Sequence, residues 1–537
     1  MSRKIVLIII LAFIHLTVRA DFYPRNWNVD IQHYTFRLNL SDDSNLIRGK
    51  ASIDILFRDE VKFFSLDLIN KNTLDKGMTI STLKVNGTES SFTHENNRIT
   101  ITPEIPFKKG QTIELEIVYE GVPADGLIIS ENKYGDRTFF GDNYPDRARN
   151  WLPSVDHPSD KASVDFIVEA PYAYEVIANG RLLEESSIDE GLKLTHWQEK
   201  AEISTKVMVI GAAKFAVKLS GMVRDIPVQA WVYPQNREEG FFDYSPAVKV
   251  LDYFDSHIGT YSYEKLANVQ AKTRYGGMEN ASNIFYFENS VTGKGSIEPL
   301  IAHEIAHQWF GNSATEKDWH HVWLSEGFAT YFTHLYLEHT YGVDLLRDRM
   351  KNDRQKIIDY FMKTPVPVVN TTIRDYNKIL NTNSYQKGSW VLHMLRNEIG
   401  DEVFWEGIRK YYQKYQNGNA LTEDFKNEME SVSSRDLDTF FNEWIFSPGQ
   451  PDLNVSWSYK KGSKKLLVEF EQIQKESLFI FPMELRVQFA NGESQNFKVN
   501  MTERSGSFLF ECPELPVEFF VDPEVKLLHT INSISKQ

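Results

Sequence analysis

The segment His303-Glu304-Ile305-Ala306-His307 constrains this chain more than any other. Histidines four apart lie on one face of a helix, so both rings can reach a single metal at about 2.0 to 2.1 Å. After eighteen intervening residues, Glu326 in Trp323-Leu324-Ser325-Glu326-Gly327 offers a carboxylate as a third protein ligand. A fourth position left to water, with Glu304 beside it as general base, is the arrangement of a metal-dependent hydrolase. Alone, the pentapeptide also fits two ordinary surface histidines. A metzincin would need a glycine and a third histidine soon after His307, but Phe310 and Ser313 stand at those positions, so Glu326 is the candidate third ligand.

At 537 residues and 42% hydrophobic, the chain exceeds one ordinary core and implies about three domains. Residues 1–20 carry Arg3 and Lys4, the apolar run Ile5 to Ile14, and Val18-Arg19-Ala20. That pattern reads as a signal peptide cleaved after Ala20, giving an exported protein, secreted or periplasmic. The run is too short for about 30 Å of hydrocarbon, and no later stretch reaches eighteen uninterrupted apolar residues. The mature chain is therefore expected to be soluble, without an integral membrane segment. Losing Arg3, Lys4 and Arg19 moves the formal charge from -15 to -18, which opposes nucleic-acid partners. Cys512 is the only cysteine, so no internal disulfide can form. Of six glycosylation sequons, the one at Asn280 is expected to stay unmodified, because a glycan there would crowd the candidate site.

The expected fold class is multidomain α+β. Residues 21–220 alternate with period two, as in Tyr34, Phe36, Leu38 and Leu40, and the Asn86-Gly87 pair marks a tight hairpin, so this part reads as an antiparallel β-domain. Residues 221–448 are mainly helical, interrupted by strand-like Ala267 to Ala271 and Asn283 to Phe287, and contain the metal motif. Its helix is expected to run from near Ser296 to Gly311-Asn312, with a second helix starting near Ser325. The breaker cluster Ser447-Pro448-Gly449-Gln450-Pro451 opens residues 449–537, which alternate again and read as a β-sandwich. Lys460, Lys461, Lys464 and Lys465 around Gly462-Ser463 read as a solvated hairpin tip.

Four motifs in order, Gly276-Gly277-Met278-Glu279-Asn280, His303 through Asn312, Trp323 through Ala329, and Ser384-Tyr385-Gln386-Lys387-Gly388, resemble the gluzincin aminopeptidases that include aminopeptidase N and leukotriene hydrolase. The resemblance covers nearly the whole chain. It implies a thermolysin-like catalytic domain, one Zn2+ held by His303, His307 and Glu326, and Glu304 as general base. It places Tyr385 as the hydrogen-bond donor to the tetrahedral intermediate. It also implies that Glu279 recognises the free ammonium of a peptide substrate, that the backbone of Gly276 and Gly277 lies along an edge strand beside it, and that Met278 and Asn280 belong to the same substrate-binding segment. His320 and His321 are expected to be structural, since the ligand set is already filled. Asn312 could orient a ligand or cap the helix.

The chain departs from that family at Tyr144. Large members carry Glu or Gln there, shortly before an Ala-Arg pair, here Ala148-Arg149, and it helps hold the substrate amine. Tyr144 is left to stack under the ammonium or to bound the first side-chain pocket. The helical C-terminal domain common in the family does not follow the β-sandwich here, so the cleft is expected to be less enclosed. The expected function is a zinc aminopeptidase acting on peptides with free N-termini. Its rivals are lipid epoxide hydrolysis, endopeptidase activity and a non-catalytic binding protein. First-residue preference and oligomeric state are not legible.

Overall fold

The computed structural model describes residues 21–189, 191–475 and 477–537, and the expected signal peptide, residues 1–20, lies outside them. The N-terminal region is built on an eight-stranded sheet in which Val29–Asn39, Ile47–Phe57 and Thr112–Val122 are successive antiparallel neighbours. Alternation buries one face through Tyr34, Phe36, Leu38, Ile53, Ile55, Leu115 and Ile117. Asn86 and Gly87 both adopt positive φ between the paired residues Val85 and Thr88, the two-residue hairpin that an Asn-Gly pair favours. The sheet is not wholly antiparallel. Val29–Asn39 runs parallel to Lys161–Pro171, which the long intervening excursion of the chain permits.

A five-stranded sheet opens the helical region, in the order Ala216–Val223, Ile226–Val232, Leu266–Ala271, Asn283–Phe287 and Gly277–Met278. Its first strand spans residue 220, where the sequence pattern suggested a division. The last helical elements end at Phe446, and strands resume at Asp452.

The helix Trp323–Tyr341 is the axis of this region, buried continuously from Trp323 to Leu337. It packs against Glu298–Ala306 and Gly388–Ile399. Gly327 and Gly388 bring two of these helices into backbone contact: a Cβ at Gly327 would lie 2.9 Å from the Gly388 Cα. Only glycine allows that approach, and it sets Tyr385, three residues before Gly388, beside Glu326. Among the described residues, no helix is long and apolar enough to cross a membrane.

The C-terminal region is two sheets, of four and three strands. Trp457 stacks on Phe519 and Phe497 lies against Phe510, each pair joining one sheet to the other. The Lys460 to Lys465 segment is a hairpin tip with exposed or half-buried lysines.

Candidate active site

The motif helix spans Glu298–Ala306, with Pro299 in its first turn, and ends earlier than the expected Gly311-Asn312. His307 keeps helical dihedrals and donates its backbone N–H to the His303 carbonyl at 3.2 Å, so the two rings still share a face. Gly311, at φ +114°, then turns the chain back, and its N–H reaches the Ala314 carbonyl at 2.8 Å. The second helix starts at Trp323, which puts Glu326 in its first turn.

These two helices bring three ligand-type atoms together. His303 Nε2 and His307 Nε2 are 3.2 Å apart, and Glu326 Oε2 lies 3.5 and 3.3 Å from them. A tetrahedral ion with ligands at about 2.05 Å has ligand-to-ligand edges of about 3.3 Å, so the triangle has the size of one coordination face. Glu326 Oε2 is buried and has no hydrogen-bond partner. His307 Nδ1 lies 3.1 Å from the Phe310 carbonyl, which fixes the ring with its Nε2 facing the cluster. The residues present fit a metal ion.

The electrostatics of the cluster are strongly coupled. Burial opposes charge on His307, but the Glu279 and Glu326 carboxylates outweigh it and push its pKa up to about 10. Burial works the other way on Glu326, yet the two imidazoles hold its carboxyl well below the usual range. Burial pushes Glu304 well above that range, with Glu279 and Glu326 adding to the effect against His307. A Cβ at Gly277 would collide with the Glu304 carboxylate, so glycine there lets the edge strand lie against Glu304.

Tyr385 stacks on His303, with ring centroids 6.0 Å apart at 14°. Burial, then the Glu326 and Glu279 charges, push its pKa well above the ordinary phenol value, so its hydroxyl stays protonated and can donate. Glu279 is 5% exposed and its Oε1 has no partner. One of its carboxylate oxygens lies within 4.8 Å of ligand atoms of Glu304 and His307. Asn312 Nδ2 and Gln308 Nε2 both donate to the Glu279 backbone carbonyl, at 2.6 and 2.8 Å. Asn312 thus positions the segment bearing Glu279 through its backbone. Gln308, inside the same motif but assigned no role from the sequence, shares that task.

The comparisons with known proteins bear on this arrangement. The Peptidase M1 N-terminal domain matches residues 31–207 and the Peptidase family M1 domain matches residues 242–444. The chain belongs to peptidase family M1. It is 27% identical over 387 residues to glutamyl aminopeptidase of Bos taurus, covering 69% of this chain and 40% of that protein. It is 27% identical over 459 residues to leucyl aminopeptidase of Saccharolobus solfataricus, covering 81% and 56%. The chain therefore spans about half the length of such curated relatives. The crystal structure of Legionella pneumophila aminopeptidase A in complex with aspartic acid superposes with a TM-score of 0.82 at 17% identity, covering 95% of this chain and 60% of that one, and shares the fold.

Tyr144 lines the same M1 cleft as the cluster, together with Tyr275, Met278 and Leu380. Its ring meets Tyr275 and Trp319 edge-on, at 6.3 and 5.4 Å, and its hydroxyl is buried without a partner. Lys206 Nζ lies 5.5 Å from the Tyr144 ring centroid while paired with buried Glu316. Gly277–Met278 is the edge strand of its sheet, and the Gly276 carbonyl accepts from the Phe287 N–H at 3.0 Å. Asn280 is fully buried, so its sequon is closed to a glycan in the folded chain. His320 and His321 point elsewhere, to the Ile373 carbonyl and to Thr422 Oγ1. Tyr275, Leu380, Lys206 and Trp319 belong to no motif. Only the folded chain brings the first two to the cleft and the last two against Tyr144.

Proposed function

We propose that this M1 chain is a zinc-dependent aminopeptidase that removes the N-terminal residue of peptides. The observation that carries the reading is the unpartnered Glu279 oxygen in the cleft, beside the His303, His307 and Glu326 cluster. A buried carboxylate without a donor is costly unless a cation completes it, and a substrate ammonium is such a cation.

His303, His307 and Glu326 would hold one Zn2+, which supplies Lewis acidity and lowers the pKa of water toward about 7. Glu304 takes a proton from the attacking water and passes one to the leaving amine. Tyr385 donates its hydroxyl to the developing oxyanion. Glu279 and Glu326 receive the ammonium, which fixes the scissile bond one residue from the terminus. The outer edge of Gly277–Met278 accepts the substrate backbone as an added strand. Lys206 already occupies one face of Tyr144, which favours Tyr144 as a wall of the first side-chain pocket over stacking beneath the ammonium. Residues 1–20 would direct export to the periplasm or exterior.

The test is metal content together with hydrolysis of aminoacyl arylamides bearing free or acetylated amines. One zinc per chain and turnover confined to free amines are expected. Equal turnover of both substrates would replace the aminopeptidase reading with the endopeptidase one.

A further inference from the structure

Asp21, the first described residue, is 8% exposed and tied to both halves of the molecule. Its backbone nitrogen donates to Asp318 Oδ2 at 2.7 Å. Its carboxylate accepts from Arg25 at 2.8 Å, meets His157 Nε2 at 2.8 Å, and accepts from the Trp319 backbone N–H at 3.1 Å. His157 belongs to the β-rich region, whereas Asp318 and Trp319 lie in the turn just before the Glu326 helix. Trp319 is also the residue that packs edge-on against Tyr144 in the cleft wall.

Two buried carboxylates, Asp21 and Asp318, share one guanidinium, Arg25, at 2.8 and 3.4 Å. Burial pushes the His157 pKa down despite Asp21, so that ring adds no charge. Burial opposes charge on His320 as well, but its bond to Asp318 raises its pKa, so it stands as a second cation beside the pair. An ammonium where the Asp21 nitrogen stands would turn its short, buried 2.7 Å contact with Asp318 Oδ2 from a neutral donor's bond into a charge-assisted one. The preceding residue is Ala20, where the sequence pattern places cleavage.

We propose that Asp21 is the mature N-terminus and that its α-ammonium forms a buried ion pair with Asp318, so that removal of the leader completes the packing behind Trp319 and Tyr144. A signal peptidase would supply the cleavage. Water adds across the Ala20–Asp21 peptide bond, Ala20 leaves with the new carboxylate, and Asp21 keeps the amine, which takes up a proton at neutral pH because such groups have pKa about 7.7 to 8.0. The inference stands apart from the proposed peptide chemistry, because its readouts are the terminus, the amine and the melting midpoint.

Intact mass and terminal sequencing of the exported protein should begin at Asp21. Limited acylation at neutral pH should modify the α-amine about tenfold more slowly in the folded protein than in denaturant. Asp318→Asn should restore the faster rate. Should that variant fail to fold, a chain released from a cleavable fusion with one extra alanine before Asp21 keeps Asp318 and displaces the ammonium. Its melting midpoint should fall by roughly 2 to 4 °C relative to the chain starting at Asp21. A terminus other than Asp21, an α-amine equally reactive folded and unfolded, or identical midpoints for the two chains would each overturn the proposal. If no form hydrolyses peptides, the aminopeptidase reading fails while these results still decide this one.

Discussion

The cleft and the C-terminal sandwich use burial in opposite ways. Between the sheets of the sandwich, alternating positions such as Leu453, Val455, Leu485 and Val487 are buried and apolar. In the cleft, Glu279, Glu304, His307 and Glu326 are buried just as deeply, and Glu279 Oε1 and Glu326 Oε2 lack partners. The first arrangement stabilises the fold through area removed from water. The second destabilises it and makes sense only if a ligand completes it, the usual trade of stability for function at a site. Substitutions should therefore separate the two regions: activity lost without stability in the cleft, stability lost without intrinsic activity in the sandwich.

The sharpest way to break that contrast is Glu304→Gln. Turnover should fall about 10² to 10⁴-fold, the usual worth of a general base, with a melting midpoint no lower than wild type. Tyr385→Phe should cost about 10² to 10³-fold in kcat, as loss of one oxyanion donor does, again with the fold intact by circular dichroism. Leu485→Ala is the counterpart in the sandwich. It should cost about 2 to 5 kcal/mol in denaturant unfolding of that region, while turnover per folded molecule stays unchanged. The smallest effect belongs to Tyr144→Ala: a change in kcat/KM that differs between small and large first residues by about 1 to 3 kcal/mol, as reshaping a hydrophobic pocket does. A uniform loss of stability across the cleft variants would erase the distinction.

The same contrast explains what was legible in the sequence. Tyr34, Phe36 and Leu38 on one strand, or Met483, Leu485 and Val487 on another, announce their buried face by alternation, and Asn86-Gly87 announces its turn by dihedral preference. The His303, His307 and Glu326 cluster was legible because helical spacing alone places two of its members on one face. The early end of the motif helix was not, since Gly311 turns where Ser325 and His307 crowd it, a tertiary circumstance. Nor was the parallel pairing of Val29–Asn39 with Lys161–Pro171, which joins residues more than a hundred apart. Tyr275 and Leu380 reach the cleft, and the Lys206 and Glu316 pair reaches the back of Tyr144, from separate segments that carry no local pattern. For Tyr144, the sequence placed the residue but not its surroundings.

In the proposed function, Glu279 is left unpartnered so that it can hold a substrate ammonium. The most direct measurement is the ratio of kcat/KM for free and N-acetylated aminoacyl arylamides in the wild type and in Glu279→Gln. A charge-assisted hydrogen bond worth about 1.5 to 3 kcal/mol predicts that the variant loses about 10 to 150-fold on free amines and little on acetylated ones, so that the ratio collapses. An unchanged ratio in a folded, metal-loaded Glu279→Gln protein would contradict the account.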